Sequence, residues 1–274
     1  PGSSQKSTFY KDLLKNLNNN YLYLQTAQLE DQNLKIAISS SDHRSSIMMA
    51  HKASKIISKV VSHHDLDLDT IEISNIYAGL ELNTTEFLIK DVNEASINIP
   101  ELVQRNTKIY SGNKDDYLSN EFKPRVIFPA HFYSISPSIV SHIGSPEKFY
   151  YGGINLNYFG EVQFSRNLFL TSTISAVVHN NFDKTRYQPD SIIDHVRTDL
   201  VKYLQESDDF YIERLQLDYI WSPYKNIYSS ITAGYLESMY GGVGAQAFLK
   251  PFKHNFLIGL EGHFLKKRKF NGLL

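Results

Sequence analysis

From Tyr150 to Phe164 apolar residues and glycine hold every second position. The even positions are Tyr150, Gly152, Ile154, Leu156, Tyr158, Gly160, Val162 and Phe164, and the odd ones include Asn155, Asn157, Glu161 and Gln163. A β-strand points successive side chains to opposite faces, so this run has one apolar and one polar face. After Ser165-Arg166-Asn167 the pattern resumes with Leu168, Leu170, Ile174, Ala176 and Val178 against Thr171, Thr173 and Ser175. Leu215, Leu217, Tyr219 and Trp221 oppose Arg214, Gln216 and Asp218. Ile231, Ala233 and Tyr235 oppose Ser230, Thr232 and Gly234, and Phe256, Ile258, Leu260 and Phe264 oppose Gly259, Glu261 and His263. A helix repeats every 3.6 residues and cannot present such faces, so this half of the chain is sheet.

Each run is about ten residues or more, the length a tilted strand needs to cross a bilayer, against about 5–6 in ordinary globular strands. Short turns at Ser165–Asn167, Ser222–Asn226 and Pro251–Asn255 contrast with a long connection over about Asn180–Asp209. Short turns at one end and long loops at the other are the layout of an outer-membrane barrel. Phe164, Trp221, Tyr224 and Phe252 cluster near the turns, where an interfacial girdle would place them. A soluble β-sandwich also alternates, but its solvent face would be richer in Lys and Glu than this Asn, Gln, Ser, Thr and Gly face. A net charge of −1 argues against a general nucleic-acid binder, and the absence of cysteine excludes disulfides and zinc–thiolate sites. Such averages look cytosolic only because opposite faces cancel. The opening Pro1-Gly2-Ser3-Ser4 lacks the features of a signal peptide.

The chain is not uniform. Only Gly2, Gly79 and Gly112 of the 14 glycines precede position 144, and 27 of the 35 aromatics follow position 120. The first region mixes periods. Phe9, Leu13, Leu14 and Leu17 have helical spacing after a Ser7-Thr8 cap, and Asn18-Asn19-Asn20 breaks that helix. Tyr21–Ala27 and Leu34–Ile38 suggest a hairpin, and Asp42 could cap a second helix with Ile47, Ala50, Ala53, Ile57, Val60 and Val61 as its stripe. Strand-like runs follow at Thr70–Tyr77 and Leu80–Lys90. The expectation is a small α+β docking domain over 1–95, a linker over 96–121, and an antiparallel transmembrane β-barrel segment, incomplete, over 122–274.

Two stretches carry a resemblance. Arg197-Thr198-Asp199-Leu200-Val201-Lys202-Tyr203-Leu204 is followed by Gly234-Tyr235-Leu236-Glu237-Ser238-Met239-Tyr240-Gly241-Gly242-Val243-Gly244, with Lys250-Pro251-Phe252 and Lys267-Arg268-Lys269-Phe270 beyond. This resembles the YjbH family of outer-membrane proteins linked to exopolysaccharide and capsule biosynthesis, specifically over about Arg197–Asn271 and more loosely back through the α+β region. The resemblance implies larger proteins of Gram-negative bacteria, often lipoproteins, that combine barrel segments with a periplasmic part. It implies no catalytic residues. With six or seven strands against the eight of the smallest common barrel, the chain reads as a fragment lacking its export signal, an earlier barrel segment and the last strands.

The reading that follows is a non-enzymatic outer-membrane component of polysaccharide secretion or assembly, with residues 1–95 in the periplasm. Polysaccharide would contact Asn155, Asn157, Glu161, Gln163, Arg214, Gln216 and Asp218, because amides and carboxylates hydrogen-bond hydroxyls. Outer-membrane lipid and other export proteins are the remaining partners, with no nucleic acid, cofactor or metal. An outer-membrane hydrolase is the alternative, with His131, His142 or His179 as a base; no Gly-x-Ser-x-Gly or His-Glu-x-x-His motif supports it. A soluble carbohydrate-binding β-sandwich is third. His63-His64-Asp65-Leu66-Asp67-Leu68-Asp69 lacks the glycine and closing glutamate of a calcium loop and reads as a solvated turn. Gly241–Gly244 reads as a tight turn or bulge, Arg197–Leu204 as a short helix that is either a plug for the pore or an ordinary surface helix, and Lys266–Lys269 as a cationic barrel rim.

Overall fold

A computed structural model describes residues 3–40, 45–95, 106–112, 116–143, 149–185, 199–206 and 210–270. They form two compact units. One comprises Pro1–Val126 with Ser222–Tyr228 and Leu249–Ile258; the other comprises Ile127–Trp221, Ser229–Phe248 and Gly259–Leu274.

The first unit is a five-stranded mixed sheet with two helices packed on it. The strands are β1 (Leu22–Glu30), β2 (Asn33–Ser40), β3 (Thr70–Tyr77), β4 (Leu80–Leu88) and β5 (Lys108–Ser111), in that spatial order. β1 and β2 make the expected hairpin, and β2 runs parallel to β3. A parallel pair needs a crossover, supplied here by α2 (Ser46–His63). Helix α1 (Ser3–Asn18) precedes the sheet and α3 (Ile89–Ala95) follows β4. Phe9, Leu13 and Leu17 of α1 join Leu34, Ile36 and Ile38 of β2, Ala53 and Ile57 of α2, and Ile71 and Ile73 of β3 in one core. Period two in the strands and 3.6 in the helices aim these side chains at a common layer.

Three local details differ from the sequence reading. Helix α1 starts before Ser7-Thr8, and the Thr8 hydroxyl donates to the Ser4 carbonyl at 3.1 Å inside it. Ser45 caps α2 by accepting from the Met48 amide; Asp42 lies outside the described residues. Ile47 is exposed and Met49, two positions on, takes its place in the stripe. The stretch read as a linker contains β5, the buried Tyr117, and Glu121, which together with the adjacent Phe122 clips onto β1. Phe122 exchanges backbone hydrogen bonds with Ala27 at 2.9 and 3.0 Å and stacks on Tyr10.

The second sheet has seven strands: β6 (Ala130–Ile143), β7 (Tyr150–Ser165), β8 (Leu168–Asn180), β9 (Phe210–Tyr224), β10 (Ile227–Tyr235), β11 (Tyr240–Leu249) and β12 (Ile258–Lys267). Each lies beside its sequence neighbour, in the order β12 to β6. The sequence reading expected an incomplete transmembrane barrel segment; the structure shows an open sheet, with β6 and β12 as its two edges among the described residues. Seven strands joined largely by tight turns give a meander, and closure would need pairing that these residues do not supply. Gly241–Gly244 is strand, not turn, since β11 begins at Tyr240. A Cβ on Gly242 would lie 2.1 Å from the Phe264 carbonyl oxygen, so the bare backbone lets β11 and β12 approach. Among the described residues no helix is long and apolar enough to cross a membrane.

The Glu121 clip titrates. The Tyr10 hydroxyl hydrogen-bonds Glu121 and accepts from the Leu29 amide at 2.7 Å. Glu121 sits below its ordinary value of 4.5, chiefly through the Tyr10 hydrogen bond and in part through Leu29 and Lys6. Tyr10 is pushed far above its usual range, chiefly by burial and then by Glu121. A depressed carboxyl stabilises the fold above its unfolded value, and that contribution disappears as pH falls through the folded one. Glu121→Gln therefore lowers the hydrogen-exchange protection of the Leu29 amide at pH 7 and lowers it less at pH 3, because the contribution of a depressed carboxyl shrinks as pH falls below 4.5. Equal loss of protection at both pH values would remove the electrostatic account.

Candidate functional site

Strand pairing decides which side chains of the second sheet share a face. Asn157 lies opposite Ser175 and Ser136, and Phe159 opposite Thr173, which in turn pairs with Arg214. Glu161, Thr171 and Gln216 form the next row, and Gln163, Phe169 and Asp218 the one after. Asn155 pairs with Val177. All seven residues singled out from the sequence thus project from one face. Asn155 and Asn157 are nearly buried there. Glu161 accepts from Gln163 at 2.6 Å; Gln216 donates to both Asp218 oxygens at 2.7 and 2.9 Å, and Thr232 adds a third bond to Asp218 at 2.5 Å.

The face is richer than the sequence indicated. Thr173 pairs with Arg214 and Ile174 with Ile212, so Glu213 is an extra residue, a β-bulge. The bulge lets Glu213 and Arg214, adjacent in sequence, both line one cleft. Glu213 Oε1 accepts from Ser175 at 2.6 Å and from Tyr211 at 3.3 Å, and the Tyr211 hydroxyl also accepts from Asn155 at 3.0 Å. The sequence carried a signal for this. Counted back from Leu215, strict alternation would place the Glu213 carboxylate on the apolar face, a conflict that a bulge resolves.

The cleft has a volume of about 610 Å³, and its lining includes Phe159, Tyr211 and Phe210 from the strands and Phe270 beyond them. Its remaining wall is α4 (Leu200–Gln205), through Leu200, Tyr203 and Leu204. Arg197 of the predicted helix lies outside the described residues. The segment after β12 latches α4 in place. Tyr203 is buried, and its hydroxyl donates to the Arg268 carbonyl; burial pushes the phenol above its usual range, which keeps the proton available for that bond. Tyr203 also packs edge-on against Phe270 at 4.9 Å, and Lys202 lies 5.3 Å from the Phe270 ring centre. Lys267 pairs with Asp199. Arg268, read from sequence as part of a cationic rim, is 2 % exposed: it donates to the carbonyls of Ile212 at 2.9 Å and Glu237 at 2.8 Å and stacks 4.2 Å from the Tyr235 ring centre. A guanidinium is suited to this because one of its NH2 groups, Nη1, donates to both carbonyls while the planar face stays free to stack.

The other constellations are dispersed. His131 bonds the Tyr158 hydroxyl at 2.8 Å, His142 stands opposite Tyr151, and His179 opposite Ile154, three separate rows. His64 Nε2 lies 2.9 Å from Asp12, and Asp67 accepts from Gln32. Among the described residues no group of three or more His, Asp or Glu is placed to hold a metal ion.

The sequence matches the family described as "Exopolysaccharide biosynthesis protein YbjH" over residues 2–274. The chain belongs to the YjbH exopolysaccharide biosynthesis family. It is 31% identical over 139 residues to the "Uncharacterized lipoprotein YjbH" of Escherichia coli (strain K12), a match spanning 50% of this chain and 20% of that protein. No solved structure matches. The residues that carried the YjbH resemblance meet in the latch: Asp199, Lys202 and Tyr203 from the first stretch, Tyr235, Glu237 and Met239 from the second, and Lys267, Arg268 and Phe270 from the last. The Met239 carbonyl accepts from the Arg268 amide at 2.8 Å, completing the set.

Arg268→Met leaves the Ile212 and Glu237 carbonyls without their donor. Hydrogen bonds from a charged group are worth about 1.5–3 kcal/mol each. We expect a loss of about 3 kcal/mol in urea unfolding in detergent and faster exchange of the Tyr203 and Glu206 amides. Arg268→Lys restores a donor but recovers only part of the loss, since an ammonium has no planar face to stack on the Tyr235 ring. Full stability of the lysine variant would contradict the latch.

Proposed function

We propose that the second unit is a segment of an outer-membrane β-barrel that guides a surface polysaccharide along its polar face without breaking bonds, and that the first unit is its periplasmic docking domain. One observation carries this reading. The face opposite the cleft exposes a broad array of large apolar side chains, among them Tyr133, Ile135 and Ile139 of β6, Val178 of β8, and Leu260 and Phe264 of β12, the last two 82 % and 80 % exposed. Water-facing sheet does not carry such a surface; lipid-facing sheet does. Strands of 9 to 16 residues are long enough to span a bilayer when tilted.

The membership of an exopolysaccharide biosynthesis family supports the polymer as cargo, and the lipoprotein name of the Escherichia coli relative supports an envelope location. Hydroxyl, amide and carboxylate side chains on the polar face exchange hydrogen bonds with sugar hydroxyls, and aromatic rings cover their C–H faces. In lipid, unpaired strand edges are prohibitively costly. Edges β6 and β12 therefore pair with strands outside the described seven, and other export proteins and outer-membrane lipid are the further partners.

The test is partition into lipid. The chain, refolded with phosphatidylethanolamine/phosphatidylglycerol vesicles, is expected to float with them in a sucrose gradient and to resist carbonate extraction. Leu260→Lys with Phe264→Lys should shift it towards the soluble fraction, because a lysine on the lipid face costs about 2–4 kcal/mol near the midplane. A chain that is monomeric and cooperatively folded without detergent, and does not float, would overturn the proposal.

A further inference from the structure

We infer that the cleft between α4 and strands β7–β9 is a binding site for a segment of uncharged glycan, and that Glu213 and Arg214 are the pair that recognises it. The inference rests on the polysaccharide reading above and names the class of polymer. Its volume of about 610 Å³ falls within the range of small-ligand sites. Flat aromatic surface from Phe159, Phe210 and Phe270 adjoins hydrogen-bonding groups there. Sugar rings present that same combination, with apolar C–H faces and a rim of hydroxyls.

The bulge sets the chemistry. Both hydrogen bonds to Glu213 land on Oε1, through Ser175 and Tyr211, leaving Oε2 as a free acceptor among the described residues. Beside it the exposed Arg214 guanidinium contributes donors only. A sugar hydroxyl is donor and acceptor at once, so an adjacent carboxylate and guanidinium satisfy vicinal hydroxyls in a way neither could alone. The wider charge balance decides between neutral and acidic polymers. Glu206 and Glu237 line the cleft with Glu213, three carboxylates against the guanidinium of Arg214, while of the cations beside it Lys202 is paired with Asp199 and Arg268 is buried on the Ile212 and Glu237 carbonyls. Close like charges disfavour each other, so a uronate chain is repelled where a neutral hexose chain is not.

The experiment titrates the full chain in detergent micelles with cellohexaose, chitohexaose and hexagalacturonate by calorimetry. A neutral hexamer is expected to bind and hexagalacturonate at least tenfold more weakly. Arg214→Met, whose guanidinium makes no hydrogen bond or ion pair among the described residues, and Glu213→Gln each weaken the neutral hexamer about tenfold; Gln246→Ala, on another strand and outside this cleft, leaves it unchanged. Tighter binding of hexagalacturonate overturns the charge assignment. Unaltered affinity in both Arg214→Met and Glu213→Gln, or no binding of any hexamer, overturns the site. Loss of binding with vesicle flotation intact removes this inference alone, whereas binding without flotation supports the site and removes the membrane reading.

Discussion

Inter-strand backbone pairing governs the second unit. Antiparallel bonding forces Asn157 and Ser175, or Glu161, Thr171 and Gln216, into shared rows on one face, and a slip of one residue would send every side chain to the other. The polar face depends on that register because its hydrogen bonds run across strands as well as along them, as in the bond from Ser175 to Asn157 at 3.0 Å. The interruption at Glu213 changes the face that two charged residues see. Without the bulge the carboxylate would stand among Leu215, Leu217 and Tyr219; with it, the carboxylate joins Tyr211, Asn155 and Ser175.

The two sheets solve the same problem differently. In the first unit one face is covered by α1 and α2, so Ile36, Ile71 and Ile73 vanish from solvent and the sheet is stabilised by a conventional core. The second sheet has no such cover over its apolar face among the described residues. At about 25 cal/mol per Å² of apolar surface removed from water, side chains the size of Leu260 and Phe264 are each worth about 1.5–3 kcal/mol once covered. A sheet with many such residues exposed is therefore incomplete in water, and its composition makes sense against a solvent that is itself apolar.

The alternation was legible because period two survives in any sheet, whatever its closure. Asn155, Asn157, Glu161 and Gln163 were read onto one face for that reason, and Arg214, Gln216 and Asp218 onto theirs. That the two sets belong to the same face required the register, which no single strand reveals. Strand β6 was not singled out: Ser134, Ser136 and Ser138 mark its polar side weakly, and Pro137 sits on the other. Arg268 was misread because a basic run looks solvated by default; only tertiary geometry supplies the two carbonyls and the tyrosine ring that bury it. Glu213 was missed for a different reason, since alternation was counted from Arg214 onward and the conflict lay one residue upstream.

Helix α4 shows how little of this unit rests on local propensity. Six residues give too few internal hydrogen bonds to hold a helix in water, where nucleation alone is unfavourable by about a thousandfold. Its position is set instead by side chains reaching residues 65 to 68 positions away: Asp199 with Lys267, Lys202 over Phe270, and Tyr203 on the Arg268 carbonyl. Those anchors lie at the end of β12 and just beyond it, while the cleft that α4 covers is built from β7, β8 and β9. The cover and the floor of the cleft are therefore held by separate sets of interactions, and Arg268 links them through the carbonyls of Ile212 on β9 and Glu237 between β10 and β11. A change that loosens the latch alters access to the cleft before it disturbs the rows of side chains beneath it.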